Sequence, residues 1–464
     1  MIQKIFFLLF LSTPLLLNAT ALIEQIKIKG NNVVGNTLII QPNADFKEQF
    51  LTQDFFVKYG DGIDFSSMHE SVLVLPFIGS IIHIIWASGQ TYTIDIMDED
   101  FFYSLEKIKE VFKFFYPTTD WSGELIPQKL IKNTGLFSPN KVAVLFSGGL
   151  DAVATSFSHS DQQQLLITIR GRDVKLNQDT MWTQVKKQST TFAQQYNHSI
   201  TFLASNFHEC INHQALKKKF PSMPYWGDTS QSLAFAGLTA PLLVHNKIKE
   251  IFMASSNTIE CPFPYGSHPL IDNNINLSGI QFHYDRPDLT RIDKLECIKT
   301  ITDKLGLPKP KLRVCWGNDK LGGNCYTCEK CIRTMNLILA LGENLHDYGF
   351  YQTLEDVQKI THNYFSPNKK RFLKFEVAWD WECIQDRIKK IMNDPLSIIH
   401  YTEELHQYLD WFCSISLDSF CYDQRQKFED NKEKFMPLWA LAEHGPISIK
   451  TIQHMTSSNI KGAE

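Results

Sequence analysis

The stretch Lys141–Phe157, KVAVLFSGGLDAVATSF, restricts the fold more than any other part of the chain. Five apolar residues, Val142 to Phe146, stop at Ser147-Gly148-Gly149-Leu150-Asp151, and an apolar run resumes with Ala152, Val153 and Ala154. A strand that passes through a glycine turn into a helix leaves free backbone N–H groups at the helix N-terminus. The helix dipole adds positive charge at the same point, which makes an anion site. The glycines permit the tight turn and let a phosphate approach the backbone closely. Ser147 adds a hydroxyl donor. Asp151 would repel a bare phosphate, so it makes sense beside a metal ion such as Mg²⁺ or as an orienting acceptor. The pattern is neither G-x-x-x-x-G-K-[ST] nor G-x-G-x-x-G, so neither a P-loop nor a dinucleotide fold is indicated. The plain alternative is a tight turn with no ligand.

From residue 141 onward, short apolar runs alternate with helical stretches. The runs are Val142–Phe146, Leu165–Ile169, Ile200–Ala204 and Ile251–Ala254. This alternation predicts an α/β core, a doubly wound parallel sheet with crossover helices, over residues 141–345. Residues 22–130 read as an α+β region. In TYTIDIM, Tyr92, Ile94 and Ile96 alternate with polar residues as in a strand. Leu105, Ile108, Phe112 and Phe115 then share one helical face, and Pro117 ends that helix. The following stretch, Trp121–Asn140, reads as a linker, and Pro262–Pro287 as a long loop without a period. From Thr353 the pattern is helical behind a Thr353/Asp356 cap, giving a helical region over 350–464.

Four of the ten cysteines fall between Cys315 and Cys331 in a C-x₉-C-x₂-C-x₂-C spacing. Cys315, Cys325, Cys328 and Cys331 can close a tetrahedral Zn²⁺ site, with Gly322 and Gly323 letting the loop fold back. C-x₂-C-x₂-C also occurs in iron–sulfur ligation, and disulfides are the third reading. The net charge of −4 and the absence of a long basic run exclude a large nucleic-acid or anionic-membrane footprint.

The SGGLD turn after an apolar strand resembles the pyrophosphate loop of the N-type ATP pyrophosphatases, or adenine nucleotide alpha hydrolases. That resemblance implies cleavage of ATP between its α and β phosphates and activation of an oxygen as an adenylate. It assigns Ser147 and Asp151 to catalysis, and Phe146, Ser147, Gly148, Gly149, Leu150 and Asp151 to ATP and Mg²⁺. The family motif usually ends in a further Ser, where this chain has Ala152. The loop followed by the four cysteines and Arg333 resembles the 7-cyano-7-deazaguanine synthase family over about residues 141–340. The resemblance implies a structural zinc, a deazaguanine-type substrate carrying a carboxylate, and an amine nucleophile. The long form with both extensions, with GSHPL at Gly266–Leu270 and TRIDKLECI at Thr290–Ile298, is similar to synthase-like proteins of bacterial antiphage defence clusters. There the amine would belong to ammonia or to a partner protein.

Other residues follow from place. Ser255, Asn257, Ser267 and His268 lie past a strand end, where open α/β sheets bind ligands, and are substrate candidates or turn caps. Arg291 and Lys294, one helical turn apart, face a phosphate or carboxylate, or solvent. Arg170 and Asp173 in RGRD follow the second strand, where this fold usually cradles adenine or ribose; a surface loop is the alternative. A sulfur-transfer enzyme acting on tRNA and a non-catalytic nucleotide-binding subunit are the competing functions, the latter favoured by Ala152.

Residues 1–21 have the form of a secretory signal: Lys4, apolar Ile5–Leu17, then Ala19 and Ala21. ATP use and reduced zinc thiolates oppose that reading, and the expectation is a cytoplasmic protein. Val72–Trp86 is too short to span a bilayer and is expected to be a buried helix.

Overall fold

A computed structural model describes residues 20–29, 36–135, 137–261, 264–315, 323–366, 372–397 and 399–421, with 425, 426 and 429. Residues 1–19 of the signal-like segment, Gly322 and residues 262–263 of the long loop lie outside the described residues, while Thr20 and Ala21 form a short strand.

The strands in chain order are β1 (Thr20–Ala21), β2 (Ile23–Lys29), β3 (Thr37–Pro42), β4 (Phe55–Tyr59), β5 (Thr91–Asp98), β6 (Glu124–Ile131), β7 (Lys141–Leu145), β8 (Gln163–Arg170), β9 (Ser199–Ser205), β10 (Glu250–Ala254), β11 (Asn276–Leu277) and β12 (Ile280–Asp285). The chain is α/β. Nine strands form a mixed sheet in the order β11-β12-β10-β7-β8-β9-β4-β3-β2, and β1-β5-β6 form a separate parallel sheet. Within the large sheet β12, β10, β7, β8 and β9 run parallel. Strands β4, β3 and β2 extend one side antiparallel, and β11 is antiparallel at the other edge.

The four apolar runs seen in the sequence are β7, β8, β9 and β10. They read as near-continuous apolar runs; β7, β8 and β10 are largely buried on the two faces of the sheet, while β9 is mostly half-buried. Ala143, Leu165 and Ile167 face a core built with the helices Leu75–Ser88 and Gln231–His245. Val144 and Leu166 face a second core with the helices Leu150–Ser158, Arg291–Leu305 and Glu329–Ala340. From β7 the chain builds outward through β8 to β9, then returns to add β10 and β12 on the other side. The order therefore reverses between β7 and β10. At such a reversal a crevice opens outside the carboxyl ends of the strands.

Two expectations are corrected. The stretch read as a linker holds β6, which pairs in parallel with β5. It is an edge strand, so Pro127 costs no ladder bond that the sheet needs; its exposed residues are Glu124, Gln128 and Lys129 with the apolar Ile126. The long loop holds the short helix Pro269–Asp272, β11 and β12. In IQFHYD the buried Ile280, Phe282 and Tyr284 alternate with partly exposed Gln281 and His283, a period of two hidden among glycines and asparagines.

Strands β2 to β4 belong to the same sheet as β7 to β10, so one core crosses the 130/141 boundary. The stretch Val72–Trp86 is buried throughout, as the helix Glu70–Leu73 and most of Leu75–Ser88. No helix among the described residues is long and apolar enough to cross a membrane. Leu75–Ser88 crosses Gln231–His245 at Gly79 and Gly237. A Cβ on Gly79 would meet the Leu233 carbonyl oxygen at 2.2 Å, and one on Gly237 the Leu75 oxygen at 2.2 Å. Backbone cannot yield as a side-chain end can. Gly79→Ala is expected to cost about 2–3 kcal/mol of stability, read by urea unfolding.

His83 lies in the same buried helix. Burial, then the charges of His213 and His208, push it down to about 3 from an ordinary 6.5. The unfolded chain takes up this proton near 6.5 and the folded chain refuses it until about 3. The contribution of neutral His83 to stability is thus complete above 6.5 and falls by roughly 1.4 kcal/mol per pH unit below it. In unfolding titrations from pH 7 to 4, His83→Leu is expected to flatten the loss of stability.

From Thr353 the chain is helical where it is described. The helix Leu354–Tyr364 carries the Thr353/Asp356 capping box, followed by Phe375–Asn393 and Glu403–Cys413.

Candidate functional site

The glycine turn stands at the carboxyl end of β7. Phe146 still belongs to the sheet: its N–H donates to the Ile167 carbonyl at 2.8 Å, and its carbonyl accepts from Thr168 Oγ1 at 2.7 Å. The chain then lifts out. Ser147 is exposed, and Gly148 adopts φ +75°, where a side chain would be strained. Gly149 caps the helix Leu150–Ser158 without a side-chain cap, and its own N–H donates to Ser147 Oγ at 3.3 Å. Leu150 and Ala152 point into the core. Arg313 braces the turn from outside. Its N–H donates to the Gly148 carbonyl at 2.8 Å, and its guanidinium donates to the Ser147 carbonyl at 3.1 Å.

Asp151, with a quarter of its side chain exposed, meets two cations. Arg291 Nε is 3.5 Å from one oxygen and Lys294 Nζ 3.2 Å from the other. These cations come from the first turn of the helix Arg291–Leu305, which the Thr290/Asp293 capping box starts. Three residues apart, they share a face. Lys294 is 3% exposed and also donates to the Ser255 carbonyl at 2.5 Å and to Ser255 Oγ at 2.9 Å. Ser255 follows β10 as Ser147 follows β7, so the crevice at the sheet reversal is where these groups converge.

Burial alone would raise the Asp151 carboxyl, but Arg291, then Lys294 and Lys330, outweigh it and hold it below the ordinary carboxylate range. Burial, then repulsion from Arg291, pushes Lys294 and Lys330 down from the usual lysine value. Arg291 and Arg333 both donate to Asp380, and Arg333 lies 3.2 Å from Glu329. Among the described residues the cluster thus gathers Arg291, Lys294, Arg313, Lys330 and Arg333 around Asp151, Glu329 and Asp380. Asp173 at the rim acts on Arg313 and Lys330, and Asp285 on Lys294, so charges of both signs are packed densely beside a helix N-terminus that has no side-chain cap.

The other candidates are placed differently. Ser255 donates to the Arg286 carbonyl at 2.8 Å, and the Asn257 N–H donates to Tyr284 Oη at 3.2 Å. Ser267 and His268 are buried. Ser267 bonds Asp272 at 3.0 Å, while His268 accepts the Leu270 N–H at 3.1 Å and packs edge-on against Phe115. His268 is the N-cap of the helix Pro269–Asp272, and Ser267 ties to that helix's last residue. Arg170 holds the loop after β8 by donating to Asp179 at 2.8 Å and to the Leu176 carbonyl at 2.6 Å. Asp173 is open to solvent, and its charge acts on Arg313 and Lys330 at the rim of the cluster.

The sulfurs of Cys315, Cys325, Cys328 and Cys331 lie within 4.8 Å of one another. Cys325 and Cys331 are 4.0 Å apart, Cys315 and Cys328 3.9 Å. A tetrahedron with metal–sulfur bonds near 2.3 Å has edges of about 3.8 Å. The ten cysteines are free, and a disulfide would need sulfurs about 2 Å apart. The Cys328 N–H donates to Cys325 Sγ at 3.3 Å, support that a thiolate ligand needs. The neighbouring Cys328, then burial, holds the Cys331 thiol above its ordinary range. Four sulfurs this close cannot all ionise without a cation among them. The cluster can hold a metal ion such as zinc.

Lys330 sits between two of these cysteines, so the metal cluster and the anion site share the start of the helix Glu329–Ala340. Lys330, Arg313 and Asp380 carried no signal in the sequence. They are ordinary charged residues brought in by tertiary packing.

Fold and site together define an α/β protein with a cationic glycine-turn crevice and a four-cysteine cluster. No family model, curated protein or solved structure matches the chain.

Proposed function

We propose that the chain is an ATP-dependent C–N ligase of the 7-cyano-7-deazaguanine synthase type on a doubly wound, adenine nucleotide alpha hydrolase-like core. The observation that carries this reading is the convergence of Arg291 and Lys294 on Asp151, at a glycine turn, on the sheet reversal. Ser147, Gly148, Gly149 and the Leu150 end of the helix hold the β and γ phosphates, with Arg291, Lys294 and Lys330 balancing their charge. Asp151 is the carboxylate that would hold Mg²⁺. A carboxylate oxygen of the deazaguanine-type base attacks the α phosphorus, the α–β bridging bond breaks, and pyrophosphate leaves. An amine, from ammonia or a partner protein, attacks the acyl carbon, loses a proton and expels AMP. Zinc in the four cysteines is structural, the setting is an antiphage defence system, and the protein works in the cytoplasm.

A specific observation favours a second reading, a nucleotide-binding subunit without chemistry. Ala152 is buried where the family motif has a hydroxyl, and both oxygens of Asp151 already face cations. The tRNA sulfur-transfer alternative suits the geometry less, since sulfurs within 4.8 Å leave room for one ion rather than a cluster. The test is incubation with ATP, 7-carboxy-7-deazaguanine and ammonium, followed by mass spectrometry. The ligase reading expects AMP and the amide or nitrile of the base. Nucleotide binding with neither product supports the second reading.

A further inference from the structure

The helix Phe375–Asn393 lies beyond the residues that resemble the synthases, yet it reaches the cluster. It packs on the helices Arg291–Leu305 and Glu329–Ala340. Asp380 Oδ2 accepts from both Arg291 and Arg333. Arg333 is 4% exposed and is held at its other side by Glu329, so it anchors Asp380 rather than facing a ligand. Seven residues on, Arg387 donates to Asp293 at 2.5 Å and lies 2.7 Å from Glu296. These two sets of ion pairs clamp the helix against the turn that carries Arg291 and Lys294.

Arg291 is therefore shared, with one nitrogen on Asp380 and Nε 3.5 Å from Asp151. A guanidinium favours two parallel bonds to one carboxylate. Without the charge on Asp380, Arg291 and Arg333 would repel each other, and Arg291 would have Asp151 as its nearest carboxylate. Full pairing would take up the oxygens of Asp151.

We propose that Asp380 is a positioning residue of the anion site, holding Arg291 short of full pairing with Asp151 so that this carboxylate stays available to a divalent cation. The C-terminal helical region is then part of the site. The inference rests on the adenylation reading, in which Asp151 faces Mg²⁺ and phosphate.

The experiment titrates inorganic pyrophosphate into the full-length protein by calorimetry over a series of Mg²⁺ concentrations. Wild type is compared with Asp380→Asn and Asp380→Glu, each also melted without ligand. Asp380→Asn, nearly isosteric, is expected to raise the Mg²⁺ concentration for half-maximal binding about ten-fold. Asp380→Glu, which keeps the charge one methylene farther out, is expected to lie between that variant and wild type. A purely structural role would lower the melting temperature and leave the Mg²⁺ dependence alone. A folded Asp380→Asn protein with wild-type Mg²⁺ dependence overturns the proposal. If that variant does not fold, Asp380→Glu decides in the same way. Failure of wild type to bind pyrophosphate at any Mg²⁺ concentration would instead remove the adenylation reading, and this inference with it.

Discussion

Serine in place of Cys331 is expected to lower the melting temperature by about 10 °C or more, and a strong chelator is expected to do the same to wild type. Cys331 is fully buried in the first turn of the helix Glu329–Ala340. Behind it Ile332, Met335 and Ile338 pack into the core that also holds Val144 and Leu150. A hydroxyl is a poor soft-metal ligand, so the site loses one of four bonds and the helix loses its anchor. The damage then reaches the sheet face beneath the glycine turn. Elemental analysis is expected to find one zinc per chain and no iron. Unchanged melting in Cys331→Ser, together with metal-free protein, would contradict a structural metal.

Asp151→Asn is expected to reduce AMP formation by about a hundred-fold or more while the fold survives. The fold survives because both cations keep other partners: Arg291 retains Asp380, and Lys294 retains the carbonyl and hydroxyl of Ser255. The chemistry is lost because an amide cannot supply the negative ligand that a divalent cation beside the phosphates requires. Circular dichroism and a melting curve check the fold, and AMP is measured by chromatography. A folded variant releasing AMP at the native rate would exclude Asp151 from the metal site.

The parallel core was legible because β7, β8 and β10 are largely buried on both faces and, like the half-buried β9, read as near-continuous apolar runs. β12 was not, because its alternation lies within a stretch rich in Gly and Asn, and β6 was not, because Pro127 interrupts its apolar residues, an interruption that only an edge strand tolerates. The antiparallel addition of β2 to β4 cannot be read from local pattern. It depends on β4 pairing with β9, almost 150 residues away. The cysteine cluster was visible because its ligands are close in sequence. Arg291 and Lys294 showed the spacing of a shared face, but only packing reveals that this face meets Asp151. Asp380 offered nothing: its importance arises wholly from two arginines that reach it from other helices.

The central claim is that this crevice breaks ATP between its α and β phosphates. Phosphorus NMR of the full-length protein with MgATP, 7-carboxy-7-deazaguanine and ammonium tests it most directly. The account predicts that pyrophosphate and AMP appear together in equal amounts and that Asp151→Asn suppresses both. ADP with inorganic phosphate, or ATP that remains intact, would contradict it.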